Sequence, residues 1–197
     1  MARLDATAYT EPDWRVHELA KDFTLEDVWS FRTPGAGPDD FPVMLAAMRA
    51  AGGIDNQPWL AKFLFAFRWK LGALFDWDKP VLGSRVRSLR DRLPVDLPAA
   101  SAGLNDDRLP LEPVYELERE AVGEIANKTV HALMHLGWMQ GDGGDFELRM
   151  AVLVKPNGSF GRAYMAAIAP FRYLVIYPAL TRRWEQAWLD REKLLAG

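Results

Sequence analysis

The residues with the strongest claim to chemistry are His131 and His135, four apart in the segment HALMH. On a helix that spacing would put two imidazoles on one face, as in metal-binding HExxH segments. The intervening glutamate is missing here, and the surrounding alternation reads as a strand, where residues four apart stand about 13 Å apart. That is too far to share one ion. The only other histidine is His17, so no metal is expected. Glu116, Glu118, Glu120 and Glu124 form an acidic run just upstream. Paired carboxylates can do acid–base work when burial pushes their pKa values apart, but on strands these read as a solvated outer face. Asp142 and Asp145 sit in a glycine-rich turn without the ligand spacing of a calcium loop. Ser84, Ser88, Ser101 and Ser159 stand in no GxSxG elbow. Gly35 and Gly37 lack the third glycine and the preceding strand of a dinucleotide loop. No cofactor is implied.

The elements that must position these residues follow from composition and pattern. A chain of 197 residues suits one domain, 1–197, with a loose N-terminal arm over residues 1–12. Net charge is −3, which gives no nucleic-acid footprint. Eight tryptophans and ten phenylalanines are a heavy aromatic load, enough for a core and for the walls of an apolar pocket. Cysteine is absent, which removes thiol chemistry and fits a reducing, cytoplasmic setting. The N-terminus lacks the apolar core of a signal peptide. Arg172 interrupts the apolar stretch 163–181, so no membrane span is expected.

WRVHELAK, from Trp14 to Lys21, reads as a first strand, and Thr24 with Glu26 and Asp27 as a helix start. A helix is expected over PVMLAAMRAA, another from Pro58 through Phe75 that is apolar on nearly all sides, and a short one in SRVRSLRDRL with a solvated basic face. Two short strands fall between Val114 and Ala126. Two longer ones flank the GDGGD hairpin turn of Gly141–Asp145, whose residues tolerate positive φ. The last element is a helix whose Phe160, Tyr164, Ala167, Phe171, Leu174 and Pro178 form an inward stripe, with a kink at Pro170. Beyond it Leu180, Trp184, Ala187, Trp188 and Leu194 face in.

SRVRSLRDRLP, YELEREAVGEIANKTVHALMHLGW and AVLVKPNGSFGRAYMAAIAPFRYLVIYPAL resemble an uncharacterised bacterial family of the START/polyketide-cyclase-like superfamily, whose members stand alone or follow an NAD(P)-binding epimerase-like domain. The resemblance covers the second half of the chain. It implies an α+β, helix-grip fold: a curved antiparallel sheet around a long C-terminal helix, with a cavity between them that holds apolar molecules in many relatives. It implies no catalytic residues.

The leading expectation is a domain binding a small hydrophobic or amphipathic molecule in that cavity, lined by Tyr115, His131, Arg149, Met150, Tyr164 and Phe171. A cyclase, dehydratase or isomerase acting in the same cavity is the alternative. A third reading is an interaction module, or a homodimer burying the Trp59–Phe75 helix. No nucleic acid is expected as a partner.

Overall fold

The computed structural model describes residues 2–51, 88–97, 111–126, 130–156 and 158–196, and only the backbone of 126, 130, 156 and 159–164. The expected helix over 58–75 and the serines at 84 and 101 lie outside the described residues.

Alternation of apolar and polar residues builds the sheet. Its strands are β1 (Ala2–Arg3), β2 (Thr24–Phe31), β3 (Glu112–Glu116), β4 (Glu120–Ala126), β5 (Val130–Gln140) and β6 (Phe146–Pro156), in the order β1-β2-β6-β5-β4-β3. All neighbours run antiparallel. β5 and β6 are joined by the expected glycine-rich hairpin, where Gly144 takes φ 90°. Register shifts between Leu25 and Asp27 and between Pro113 and Tyr115 bend the sheet near both edges. The helices are α1 (Thr7–Thr10), α2 (Val16–Leu19), α3 (Phe41–Ala51), α4 (Gly158–Phe171), α5 (Tyr177–Leu189) and α6 (Arg191–Leu195), with a π turn, Arg172–Ile176, joining α4 to α5. This is an α+β fold, a curved antiparallel sheet with a long C-terminal helix. Among the described residues no helix is long and apolar enough to cross a membrane.

Both faces of the sheet are covered. One carries Trp29, Phe31, Leu136, Trp138, Leu148 and Met150 against α3 and α5. Phe31 meets Trp184 with ring centroids 4.8 Å apart, and Trp138 meets Trp188 at 6.0 Å. The indoles of Trp138 and Trp188 donate to the carbonyls of Gly37 and Pro34, each at 3.0 Å, which pins the Thr33–Asp40 loop to this core. The other face carries Val28, Leu133, Ala151 and Leu153 beneath Tyr9, Trp14, Val16 and Leu19 from the N-terminus and Leu89 and Leu97 from the segment before β3. Trp14 crosses the sheet above Gly137. A Cβ at that position would come within 2.8 Å of the indole, so the strand needs glycine there.

Several expectations change. WRVHELAK contains the four-residue helix α2 rather than a strand, and Thr24 opens the eight-residue strand β2 rather than a helix. Glu26 and Asp27 imitate an acidic first turn, but they lie at a bulge in the strand. The N-terminal arm is built into the fold: Ala2 and Arg3 pair with Ser30 and Trp29, and Tyr9 is buried. Ser88 to Arg92 holds only a 3-10 turn. Pro170 is inside α4 as expected, and the π turn follows directly. Met165, Arg172 and Tyr177 point in, whereas Ala167 and Leu174 from the expected stripe are exposed; beyond the π turn Leu180, Trp184, Ala187 and Trp188 face in as expected.

Candidate functional site

Three buried carboxylates organise the polar interior, and they differ in how completely their surroundings are satisfied. Glu120 and Glu124, two turns of the pleat apart on β4, share a face with His135 and His131 on β5. Glu124 accepts from the Leu89 amide at 2.9 Å, lies 2.8 Å from His131 Nε2, and takes a short hydrogen bond from the Ser88 hydroxyl. Burial alone would raise its pKa, but the hydrogen bonds from His131, Leu89 and Ser88 hold it below the ordinary carboxylate value. Glu120 accepts the Arg15 amide at 2.9 Å and lies 3.1 Å from His135 Nε2. Full burial pushes the His135 pKa down, against the pull of Glu120. Tyr9 and Trp14 stand over this imidazole, and Phe23 over His131. These glutamates are not the solvated face the sequence suggested. They are ties that fasten the N-terminal and Ser88 segments onto the sheet.

The third carboxylate lies on the opposite face, under the C-terminal helix. Asp27 follows the β2 bulge, with a side chain wholly removed from solvent. It accepts from Tyr177 at 2.8 Å and, through a shorter bond, from Tyr173. Arg3 approaches at 3.4 Å and Arg172 at 3.8 Å. Arg172 also binds Glu26 at 3.1 Å. Burial pushes both tyrosine pKa values up, and Asp27 adds to the shift, so both hydroxyls stay protonated donors. The π turn makes this possible. Its wider winding brings Arg172, Tyr173 and Tyr177 to one patch of the sheet.

This patch is incompletely satisfied. The Arg172 side chain is only 9% exposed, yet its Nε and Nη1 have no hydrogen-bond partner among the described residues. The indole Nε1 of Trp29 is also buried without a partner. Trp29 is the next residue on the same face of β2 and packs on Tyr177 at 5.0 Å. Buried donors left empty are rare in native proteins, and each costs about 1–3 kcal/mol.

The sequence-expected pocket residues divide between the two faces. Tyr115, His131 and Arg149 lie on the face covered by the N-terminus. Arg149 is bonded there to Glu147 at 2.9 Å, and Tyr115 is buried with its pKa raised by burial and by Glu120. Met150 lies on the helix-covered face, and half-buried Phe171 ends α4. The Tyr164 side chain lies outside the described residues. Asp27, Tyr173 and Tyr177 were missed. Their one sequence signal was Arg172, a cation inside an otherwise apolar helix. Among the described residues no three His, Asp or Glu side chains gather as a metal site would require.

A cleft of about 530 Å³ opens near the hairpin, lined by Arg32, Asp145, Glu147, Glu185 and Leu189 among others. Its carboxylates already have partners. Asp145 accepts the Gly35 amide, Glu147 binds Arg149 and Glu185 accepts the Arg32 amide. The empty donors of Arg172 and Trp29 are at Asp27, not here.

The family model described as "Protein of unknown function (DUF2867)" matches residues 19–179. The chain belongs to DUF2867. The DUF2867 span runs from the end of α2 into α5, and it contains every member of the Asp27 cluster except Arg3. No curated protein matches the chain. No solved structure matches it either.

Proposed function

We propose that the protein binds a small hydrophobic or amphipathic molecule between the antiparallel sheet and the C-terminal helix, with the Asp27–Arg172 cluster at the polar end. One observation carries this reading: buried N–H donors on Arg172 and Trp29 stand empty on an otherwise apolar, aromatic face. A ligand acceptor would remove the penalty of leaving them unpaired. The sheet-and-helix arrangement also supports kinship with the START/polyketide-cyclase-like superfamily and its helix-grip mode of binding. The absence of cysteine fits a cytoplasmic protein. Native mass spectrometry of the purified protein tests the proposal, together with a thermal-shift panel of lipids and polyketides. Copurified ligand or a rise in melting temperature is expected. An empty protein indifferent to the whole panel would refute it.

A second reading rests on Tyr173 and Tyr177, whose hydroxyls both donate to one buried carboxylate beside a guanidinium. That constellation suits a cyclase, dehydratase or isomerase in which these groups orient the bound ligand. It predicts turnover of a bound ligand that Tyr173→Phe abolishes while affinity persists.

A further inference from the structure

We infer that the site takes a ligand whose head group is a neutral hydrogen-bond acceptor, a ketone- or quinone-type carbonyl, rather than a carboxylate or phosphate. This rests on the proposed binding between sheet and helix and specifies its chemistry.

The unpaired groups are all donors: Arg172 Nε, Arg172 Nη1 and Trp29 Nε1. The acceptors are already engaged. Asp27 Oδ1 takes Tyr173 and faces Arg3, while Oδ2 takes Tyr177 and faces Arg172. A ligand hydroxyl seeking an acceptor therefore finds the Asp27 oxygens occupied, whereas a carbonyl oxygen finds empty N–H groups.

Charge then separates the neutral acceptor from the anion. A lone buried arginine would call for an anion, but Arg172 already faces Glu26 at 3.1 Å and Asp27 at 3.8 Å, and Arg3 faces Asp27 at 3.4 Å. Two formal positive charges meet two negative ones. A bound carboxylate would leave one uncompensated negative charge beside Asp27, where burial makes it expensive. A carbonyl satisfies the same donors and leaves the balance intact. The rings of Trp29, Tyr173 and Tyr177 beside these donors favour a flat, apolar body attached to that carbonyl.

Three matched probes test the inference on the full chain by isothermal titration at pH 7.5: 2-acetylnaphthalene, 2-naphthoate and 2-ethylnaphthalene. The ketone is expected to bind about tenfold more tightly than either of the others. Trp29→Phe should narrow the affinity ratio between the ketone and 2-ethylnaphthalene. Independently of any variant's folding, the Trp29 indole N–H resonance of the wild type should shift with the ketone and not with 2-ethylnaphthalene. Tightest binding of 2-naphthoate, or equal binding of ketone and ethyl compound, overturns the inference and leaves the binding proposal standing. Failure of all three to bind overturns the inference, while the binding proposal stands or falls on the copurification and thermal-shift panel.

Discussion

Arg172 and Tyr177, five residues apart, both reach the carboxylate of Asp27, at 3.8 and 2.8 Å. In an unbroken α-helix residues five apart diverge by about 140° at 3.6 residues per turn. The π turn between them removes that divergence. Deleting exposed Leu174 should restore α-helical winding while keeping the flanking segments in phase. The expected result is helix content and cooperative unfolding close to wild type, with 2-acetylnaphthalene affinity reduced about tenfold or more. Unchanged affinity would show that the π turn does not shape the site.

Removing Asp27 should cost more than removing either of its tyrosine donors. Tyr177→Phe deletes one hydrogen bond to a buried charge and should lower stability by about 1–3 kcal/mol. Asp27→Ala strips Arg172 and both hydroxyls of their common acceptor and should cost about 3–5 kcal/mol. Asp27→Ala with Arg172→Met also removes the buried cation, left with Glu26 as its one carboxylate, and should recover part of the loss. Urea unfolding of the four proteins checks the order. A double variant no better than Asp27→Ala would contradict it.

Acid should weaken the fold in two stages. The His135 pKa lies below its ordinary 6.5 in the folded state. Between that depressed value and 6.5 the unfolded chain holds a proton that the native one lacks, so stability falls as pH drops, by about 1.4 kcal/mol per unit at full proton difference. Glu124 is likewise depressed from 4.5, so its contribution is lost as pH falls below that value. Unfolding free energies at pH 7.5, 5.5 and 4 should decline throughout. His135→Gln should flatten the first step and leave the second. A variant keeping the full slope between pH 7.5 and 5.5 would place the linkage elsewhere.

Gly137→Ala drives a methyl group into Trp14, with the indole carbons 2.8 Å from the added Cβ. Overpacking of this kind costs about 1–3 kcal/mol. Adding Trp14→Leu should relieve the clash, so the double variant unfolds at a higher urea concentration than the two separate losses would sum to. Strict additivity would mean that the two residues do not press on each other.

The sheet from β3 to β6 was legible because alternation there is regular and the glycine-rich turn marks its hairpin. The N-terminal third was not. Trp14 and Val16 alternate like strand residues, yet a four-residue helix carries them, and Glu26-Asp27 looks like a helix start because a buried acid on a strand breaks the usual pattern. The inward face of the C-terminal helix was misjudged only up to the π turn, where winding departs from the uniform period that side-chain spacing assumes; beyond it Leu180, Trp184, Ala187 and Trp188 face in as expected. For the site, two glutamates and two histidines at matching four-residue spacing on adjacent strands were visible as types, but their pairing depends on a register that only the folded sheet supplies. Arg172 was read as an obstacle to a membrane span. Its acid comes from a strand more than a hundred residues earlier.

The sheet order also governs how the chain can assemble. β4, β5 and β6 are consecutive and close in sequence, so their ladders can close as soon as that stretch emerges. β2 pairs with β6 across more than a hundred intervening residues, and it has no other long partner among the described strands. Such non-local closure is slow. The N-terminal strand, with its charged pair Glu26 and Asp27, therefore leaves the ribosome unpartnered and must stay soluble until the last third of the chain exists. Two acids at its bulge are the kind of feature that discourages a waiting strand from joining the edge of another chain.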